Sequence, residues 1–456
     1  MAYRFDADEI AHRMNEARED TFRLFDVVIS EADLRRPPAE GFRPILWHMG
    51  HVGAFEHYWI LQRVKGDPTI STRYDAIFDP IKTPREDANN LPPLPEIKDY
   101  LARVRRDALS FLATIRADSN DPMLRDGYVF NLVLEHEYQH QETIAYLLQL
   151  LEPELKQRPV VSGQWPVTAH MSEPALLNSE PRTRNSEMSE MVRIIGGPFQ
   201  IGSRGYPFAY DNEQPPQTVE LEEFRIDRFP VTNAAFAEFI RAGGYHVRSL
   251  WSDEGWAWKE ENQIEHPLYW SRADGESADS PDARWRVREM FEATEMKSEH
   301  PVTGVSWHEA EAYARFVGKR LPTEAEWEKA ASWDLKAQSK RRFSWGDERA
   351  DPARANFGNH NWGTSTVAAH AAGRSAYGCY DMTGNVWEWT ATVFAGFPGF
   401  KPFPYSEYSE LWFDGDHRVL KGGSWMTREP LLRCSFRNFW RPRFRIAFAG
   451  FRCAAD

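Results

Sequence analysis

Two histidines four residues apart, inside an apolar stretch, are the feature that most restricts how this chain can fold. The segment His136–Glu142 reads HEYQHQE, and aliphatic and aromatic residues flank it at helical spacing. Residues i and i+4 lie on one face of a helix, so both imidazoles are able to reach a single metal ion. The pattern therefore predicts a helix that carries two metal ligands on one face.

A second apolar, aromatic segment upstream offers a third imidazole. It reads WHMGH over residues 47–51, so His48 and His51 are both candidates, and spacing alone does not choose between them. Three histidines from two helices give a first-row metal three protein bonds and leave positions open for substrate and oxygen. The downstream pair also matches the HExxH pattern of zinc proteases, with Glu137 as the general base. The distant third histidine and a second domain argue against a protease.

Composition excludes several classes of partner. The chain has 456 residues, enough for two or three domains, and its formal net charge of -13 argues against binding nucleic acid or an anionic membrane surface. Its apolar runs stay short of the roughly 20 residues of a membrane span. The first 20 residues lack a signal-peptide core. With three cysteines, too few for a disulfide framework, a cytoplasmic location is expected.

Residues 1–152 are predicted to be a helical bundle. Pro- and Gly-rich joints separate four apolar-periodic segments, and the core of such a bundle is a usual place for inward-facing metal ligands. The predicted helices cover residues 7–31, 42–65, 96–118 and 127–151.

The rest of the chain changes character twice. Residues 153–190 are polar and poor in aliphatic side chains, which is typical of a linker. Residues 191–456 predict short strands, many turns packed by indole rings, and two helices, one over Asn233–Ala242 and one beginning near Ser306.

Seven segments of the second half together resemble the sulfatase-modifying-factor domain, also called the formylglycine-generating-enzyme fold, which is similar to a C-type lectin fold. The resemblance covers nearly all of 191–456 and implies an α+β protein, with a DinB-like four-helix bundle followed by this domain. The segments are MVRIIGGPFQIG from Met191, FPVTN from Phe229, PVTGVSW from Pro301, RLPTEAEWE from Arg320, DMTGNVWEW from Asp381, LKGGSW from Leu420 and AGFR from Ala449.

One departure from that family bears on function. Formylglycine-generating enzymes use two active-site cysteines a few residues apart. Cys434 stands at the second position, but the first falls near Glu429. Sulfatase maturation is therefore not expected, and Cys434 is interpreted as a small buried residue.

A DinB-type bundle fused to this domain resembles the EgtB family along essentially the whole chain. The matching segments are LWHMGHVG from Leu46, HEYQHQE from His136, WEW ending at Trp389 and FRN from Phe436. The resemblance implies a non-haem Fe(II) enzyme that uses O2 to join sulfur to C2 of the imidazole of hercynine. It assigns the iron ligands to His51, His136 and His140 and leaves His48 as a neighbour.

The family also implies residues that contact the substrate. Hercynine would be held by Gln139, between the paired ligands, and by Asn438 near the C-terminus. A catalytic tyrosine follows the WEW block, where Tyr405 and Tyr408 are both candidates. The trimethylammonium group of hercynine needs a pocket that tolerates a cation, and aromatic faces supply one. The candidate aromatic residues are Trp425, Phe439 and Trp440.

The donor of the chalcogen is predicted from two departures. Family members that use γ-glutamylcysteine bind its carboxylates with two arginines and place an acid near the C-terminus. This chain keeps Arg85 but has Ala88 at the second arginine, and an aromatic pair, Phe439 and Trp440, where the acid belongs. Losing a guanidinium removes a bidentate carboxylate clamp. A flat apolar face suits a sugar ring, so the chain resembles the selenoneine synthases, which use 1-seleno-glucose.

Three alternatives stay open at the level of sequence. The donor is cysteine or γ-glutamylcysteine, as in a hercynine sulfoxide synthase. The protein is a DinB-type thiol-transferase that activates a thiol with zinc or nickel and without oxygen. Or the lectin-like domain makes it a non-catalytic binding protein that holds no transition metal.

Overall fold

The computed structural model describes residues 5–81, 83, 90–159, 190–203, 208–273 and 284–456. These residues divide into two compact units, one up to residue 159 together with Phe208, the other from residue 190 onward. In the described part of the chain, every helix is too short or too polar to cross a membrane. The predicted donor-binding residue Arg85 and its neighbour Ala88 lie outside the described residues.

The first unit is helical, as the apolar periodicity predicts. Its four long helices fall inside or close to the predicted segments, and α3 continues directly into a π-helix, His57–Lys65. The helices are α1 (Ala7–Phe25), α2 (Glu31–Leu34), α3 (Ile45–Glu56), α4 (Thr72–Ile77), α5 (Leu94–Leu112) and α6 (Tyr128–Leu150).

Side-chain caps and apolar faces explain where these helices begin and how they pack. The Asp6 carboxylate accepts the backbone N–H groups of Asp8 and Glu9, so α1 begins at the next residue. α6 contacts α1 and α3, and α3 also contacts α5. Phe130 and Leu148 of α6 are fully buried. Burial of such side chains contributes about 1.5–3 kcal/mol each. The packing fixes α3 and α6, the two helices that carry the predicted ligands.

The second unit is built from short strands in small sheets. β10, β11 and β12 form an antiparallel ladder, β13 adds to β10 in parallel, and a second sheet has the order β1-β4-β14. Three more sheets pair β2 with β3, β5 and β7 with β6, and β8 with β9. The strands are β1 (Met191–Ile194), β2 (Gly197–Ile201), β3 (Gln217–Leu221), β4 (Phe224–Asp227), β5 (Trp270–Arg272), β6 (Trp285–Arg288), β7 (Ala293–Glu295), β8 (Trp333–Asp334), β9 (Ser339–Lys340), β10 (Trp387–Val393), β11 (Arg418–Lys421), β12 (Asn438–Trp440), β13 (Ala449–Gly450) and β14 (Ala454–Ala455).

Four α-helices of eight or more residues occur in the described part of the second unit. α7 (Asn233–Arg241) and α9 (Trp307–Phe316) correspond to the two predicted helices, whereas α8 (Asp253–Glu261) and α10 (Glu324–Ser332) were not predicted. The expectation of only two helices was therefore wrong. Both additional helices begin after a side-chain cap, supplied by Ser252 and Thr323.

Buried ion pairs tie the second unit together. Arg452 is fully buried, and its Nε and Nη2 donate to the two carboxylate oxygens of Glu388 at 2.6 and 2.7 Å. Glu388 also accepts the indole N–H of Trp327 at 2.7 Å. Arg452 and Glu388 are thus buried as a hydrogen-bonded ion pair, which offsets the cost of removing their charges from water.

Candidate metal centre

Three imidazoles from two helices converge in the first unit. His51 lies on α3, and His136 and His140 lie on α6; one ring nitrogen of each lies within 4.8 Å of the others. The ring centroids are 5.1 Å apart for His51 and His136, 4.7 Å for His51 and His140, and 4.5 Å for the pair on α6. The structure thus brings together the trio that the sequence singled out, in a spacing that one metal ion can bridge.

The backbone fixes the orientation of His51. Its Nδ1 lies 2.7 Å from the carbonyl oxygen of Phe78, which can only accept, so Nδ1 carries the proton and donates it. The neutral ring then presents a lone pair at Nε2, the arrangement usual for a metal-binding histidine. Trp47 stacks on the ring at 4.6 Å and 13°. Gly50 leaves room for the Phe78 ring, because a Cβ there would lie 2.0 Å from Phe78 Cζ.

The two histidines on α6 are held differently. The ring of Phe55 stacks on His136 at 3.6 Å and 8°, and Nδ1 of His136 is buried without a hydrogen-bond partner among the described residues. Nδ1 of His140 lies 3.1 Å from Nδ1 of His48, so one of these two nitrogens carries a proton and donates it. His48 is therefore a neighbour that contacts His140. The orphaned nitrogen of His136 is the type of buried polar atom that a ligand or ion would satisfy.

Burial keeps all three candidate ligands neutral. Desolvation lowers the pKa of His51 to about 4, although its bond to the Phe78 carbonyl acts in the opposite direction. Desolvation also lowers the pKa of His136 and His140 well below the usual value, and the neighbouring histidines add to this effect. Only a neutral imidazole binds a metal, so the trio is ready to coordinate at neutral pH.

Glu137 does not take the position that a zinc protease needs. Its side chain is 1% exposed and forms ion pairs with Arg18 at 2.8 Å and with Arg105 at 2.9 Å. Both oxygens are therefore engaged on another face of α6, away from an attacking water. The burial and ion pairing of Glu137 agree with the sequence argument against a protease.

Gln139 lies on the ligand side of α6. It follows His136 by three residues and precedes His140 by one, and residues three apart are neighbours on a helix surface. Its amide nitrogen lies 3.4 Å from the carbonyl oxygen of Glu135, and the side chain is half-buried. The amide thus lies on the same side of α6 as His136.

The two candidate tyrosines lie in one loop of the second unit. Their ring centroids are 6.3 Å apart at 69°, and Tyr408 stacks on Tyr210 at 4.2 Å and 13°. Asp211 holds this loop, because its carboxylate accepts the hydroxyl of Ser409 and the backbone N–H of Phe403. Burial raises the pKa of Tyr405, and the charge of Asp211 adds to the shift. Tyr405 therefore keeps its phenolic proton.

The predicted substrate residues near the C-terminus also lie in the second unit. Asn438, Phe439 and Trp440 form β12 and are half-buried. Phe439 stacks on Phe394 at 4.0 Å, and Trp440 stacks on Phe444 at 3.9 Å, so each has one face covered by an aromatic neighbour.

Trp425 has a different environment from the other predicted aromatics. It is 2% exposed and lies 4.5 Å from the ring of Phe448, as a core residue does. Its predicted contact with a ligand has no support from this packing.

Cys434 is a core residue. It is 1% exposed and packs in an apolar cluster with Trp327 and Met382. Burial raises the pKa of its thiol to about 12, which keeps the sulfur protonated and poorly nucleophilic. This confirms the interpretation of Cys434 as a small buried residue.

Several residues that hold the proposed ligands or the tyrosine loop carried no signal in the sequence. Phe55 and Phe78 read as ordinary core aromatics, yet one stacks on a proposed ligand and the other orients one through its carbonyl group. Tyr210 and Asp211 lie far from the tyrosine loop in sequence, and only the folded chain shows that they hold it.

Two family models match the chain. The model of the sulfatase-modifying factor enzyme 1-like domain matches residues 177–456, and that of the DinB superfamily matches residues 13–144. Together they confirm the predicted α+β architecture of a DinB-like bundle followed by a domain of the formylglycine-generating-enzyme type.

Known proteins resemble the chain over its full length. The hercynine oxygenase of Mycolicibacterium smegmatis is 38% identical, over 99% of this chain and 98% of the relative. That of Mycobacterium tuberculosis is 36% identical, over 98% of this chain and 99% of the relative. A formylglycine-generating enzyme of Thermomonospora curvata is 34% identical over 60% of this chain and 97% of its own length.

Proposed function

The chain belongs to the EgtB-like family of hercynine oxygenases, and we propose that it is an Fe(II)- and O2-dependent oxidoreductase acting on hercynine. In this proposal it forms a bond between selenium or sulfur and C2 of the hercynine imidazole, with a selenosugar as the favoured donor. The observation that carries the proposal is the cluster of His51, His136 and His140, whose ring nitrogens lie within 4.8 Å of one another. Its relatives that match along the whole chain are hercynine oxygenases.

The residues present fit an iron ion. The Phe78 carbonyl occupies Nδ1 of His51 and directs the lone pair of Nε2 away from it, while Nδ1 of His136 is buried and unpartnered. Three neutral nitrogen ligands without a carboxylate or thiolate suit a first-row transition metal. Three protein ligands leave further positions of such an ion for substrate and oxygen. Bound there, Fe(II) would bind and activate O2 and gather the reactants, while the chalcogen donor and hercynine would supply the electrons overall.

Gln139 and Asn438 are proposed to hold hercynine. Gln139 lies beside the ligands on α6, and its amide offers both a donor and an acceptor to the imidazole and carboxylate of the substrate. Asn438 offers the same groups from β12, where its Oδ1 lies 2.9 Å from the backbone nitrogen of Phe439. The ring of Phe439 would provide the aromatic face against which a trimethylammonium group is stable.

Tyr405 is proposed as the proton donor during oxygen reduction. Burial and the nearby Asp211 charge keep its hydroxyl protonated, which a donor requires. Tyr408 stacks face to face on Tyr210, and this favours a packing role for its ring. The assignment separates two tyrosines that the sequence left equivalent.

The aromatic side chains of β12 are the basis for the proposed chalcogen donor. Phe439 and Trp440 place aromatic rings where thiol-peptide enzymes of the family carry an acid, so the ammonium group of a peptide donor finds no carboxylate there. Phe444 covers one face of Trp440, and the half-buried indole leaves apolar surface for a sugar ring. This chemistry favours 1-seleno-glucose over γ-glutamylcysteine or cysteine.

A parallel donor assay tests the proposal. Purified protein loaded with Fe(II) receives hercynine and air together with 1-seleno-glucose, cysteine or γ-glutamylcysteine, and products are identified by mass spectrometry while oxygen consumption is followed. We expect the highest rate with the selenosugar and no turnover in His140→Ala. A preference for γ-glutamylcysteine would reject the selenium donor but keep the reaction class. Full turnover in His140→Ala would reject the metal assignment.

A further inference from the structure

Four charged side chains form a closed ring in the core of the first unit. Each comes from a different helix: Arg18 from α1, Glu56 from α3, Arg105 from α5 and Glu137 from α6. Positive and negative charges alternate around the ring. Its four nitrogen–oxygen distances are 2.8 Å for Arg18 to Glu137, 2.9 Å for Glu137 to Arg105, 2.8 Å for Arg105 to Glu56 and 2.8 Å for Glu56 to Arg18.

The ring is buried, and its charged groups are well paired. Its members are 0–6% exposed. Arg105 donates hydrogen bonds to both carboxylate oxygens of Glu56, from Nε at 2.8 Å and from Nη2 at 3.0 Å. The hydroxyl of Thr21 donates to Glu137 at 2.9 Å, and backbone carbonyl groups of α1 and α5 accept from the two guanidinium groups. A guanidinium presents its donors in a rigid planar fork, so these contacts define an orientation as well as an attraction.

The ring joins the same two helices that carry the candidate ligands. Glu137 directly follows His136 on α6, and Glu56 follows His51 by five residues on α3. One residue corresponds to about 1.5 Å along a helix and about 100° around it. A slip of α3 along α6 would therefore break the ring and move His51 away from the pair on α6 by the same distance.

A contribution to folding stability does not by itself explain why four charged side chains are buried here. Burying four charges costs several kcal/mol of desolvation per ion, and apolar side chains of similar volume often stabilise a core as well or better. What apolar side chains do not supply is a defined register, because they pack in several relative positions. A metal site tolerates errors of only about 0.2 Å in its ligand distances.

We propose that this ring positions the metal ligands by fixing the register of α3 against α6, with Glu137 and Arg105 as its main positioning residues. The inference rests on the proposed metal site but not on the identity of the substrates. Glu137 thus acts on the centre through the helix that it anchors, and it touches neither metal nor substrate.

Cobalt binding tests the ring in the full chain. Co(II) is titrated into metal-free protein, and the affinity and visible absorption bands are measured along with the thermal midpoint. One variant replaces the whole ring with apolar residues (Arg18→Met, Glu56→Leu, Arg105→Met, Glu137→Leu), and a second, Arg105→Lys, keeps the charge but loses the fork. We expect both to fold and to bind Co(II) more weakly, by about 10- to 100-fold for the apolar ring, with altered bands.

Arg452→Lys is the matched control, because it disrupts a buried two-pronged Arg–Glu pair of the second unit. It should lower the thermal midpoint and leave Co(II) binding unchanged. Wild-type affinity and bands in the folded apolar-ring variant would overturn the proposal. If that variant does not fold, unchanged binding in Arg105→Lys would overturn it equally. Wild-type protein that binds no Co(II) would instead reject the proposed metal function itself.

Discussion

Adding one methyl group at Gly50 should disturb the metal centre through its outer contacts. In the structure, a Cβ at this position would lie 2.0, 2.2 and 2.6 Å from three atoms of the Phe78 ring. The ring would have to move by about 1.4 Å to reach an ordinary contact of 3.4 Å. Phe78 is 1% exposed, so it has little space to move into. Its carbonyl group, which orients His51 at 2.7 Å, would be displaced with it.

The expected energy of Gly50→Ala follows from three opposing contributions. Overpacking a core costs about 1–3 kcal/mol, and a weakened hydrogen bond to His51 costs about 0.5–1.5 kcal/mol. Alanine in place of glycine inside a helix contributes about 1 kcal/mol in the other direction. The net expectation is a loss of about 0.5–3.5 kcal/mol, and each kcal/mol corresponds to about 2–4 °C in the thermal midpoint.

Gly53→Ala on the same helix is the matched control. There the new Cβ would meet Cδ1 and Cγ of Leu101 at 2.8 and 3.0 Å and Cε1 of Tyr100 at 3.3 Å, all longer than the contacts at Gly50. The neighbours have to move less, so the helix preference for alanine should offset more of the cost. Thermal unfolding and Co(II) titration of both variants make the test. A Gly50→Ala protein with wild-type stability and wild-type Co(II) affinity would show that the space at Gly50 is not needed to hold Phe78 and His51 in place.

Three further predictions concern the second unit. Tyr405→Phe should reduce turnover by about 100-fold or more at unchanged metal content, whereas Tyr408→Phe should retain most activity; equal losses in steady-state assays would contradict the assignment. Cys434→Ala should keep wild-type activity, and its loss would mean that the thiol takes part. Burial alone would raise the pKa of Glu213, but the charge and hydrogen bonds of Arg433 at 2.6 Å, together with hydrogen bonds from Ser435 and the Tyr210 backbone, lower the pKa on balance. Stability from this pair is therefore present above about pH 4.3 and lost as acid protonates the carboxylate, so Glu213→Gln should flatten the pH dependence of the thermal midpoint below that value.

The helices of the first unit were predictable because long apolar periods dominate their sequences. The four-residue spacing of the histidines on α6 predicted them as a ligand pair. Spacing did not predict the third ligand, because His48 and His51 have equivalent positions in the pattern. The structure separates them: His51 approaches both histidines of α6, while His48 contacts His140 from outside the cluster.

The role of Glu137 was not predictable from its motif. Its partners Arg18 and Arg105 are 119 and 32 residues away in the sequence, and a single sequence holds no signal for such pairing. The zinc-protease pattern pointed to a different role, which burial and ion pairing exclude.

The second unit was less predictable because its strands have two to seven residues and show no usable period. One missed helix did have a signal. Thr323 and Glu326 form a capping box in which each side chain bonds to the backbone of the other residue. The nine-residue length of α10 is too short for apolar periodicity to mark it.

His51, His136 and His140 are proposed to hold one ferrous ion. Metal analysis after anaerobic loading with Fe(II) and removal of free metal tests it most directly, on wild-type protein, His140→Ala and the neighbouring control His48→Ala. We expect about one iron per chain in wild type, retention in His48→Ala and loss in His140→Ala. Iron retained at wild-type level in His140→Ala, or absent from the wild-type protein, would contradict it.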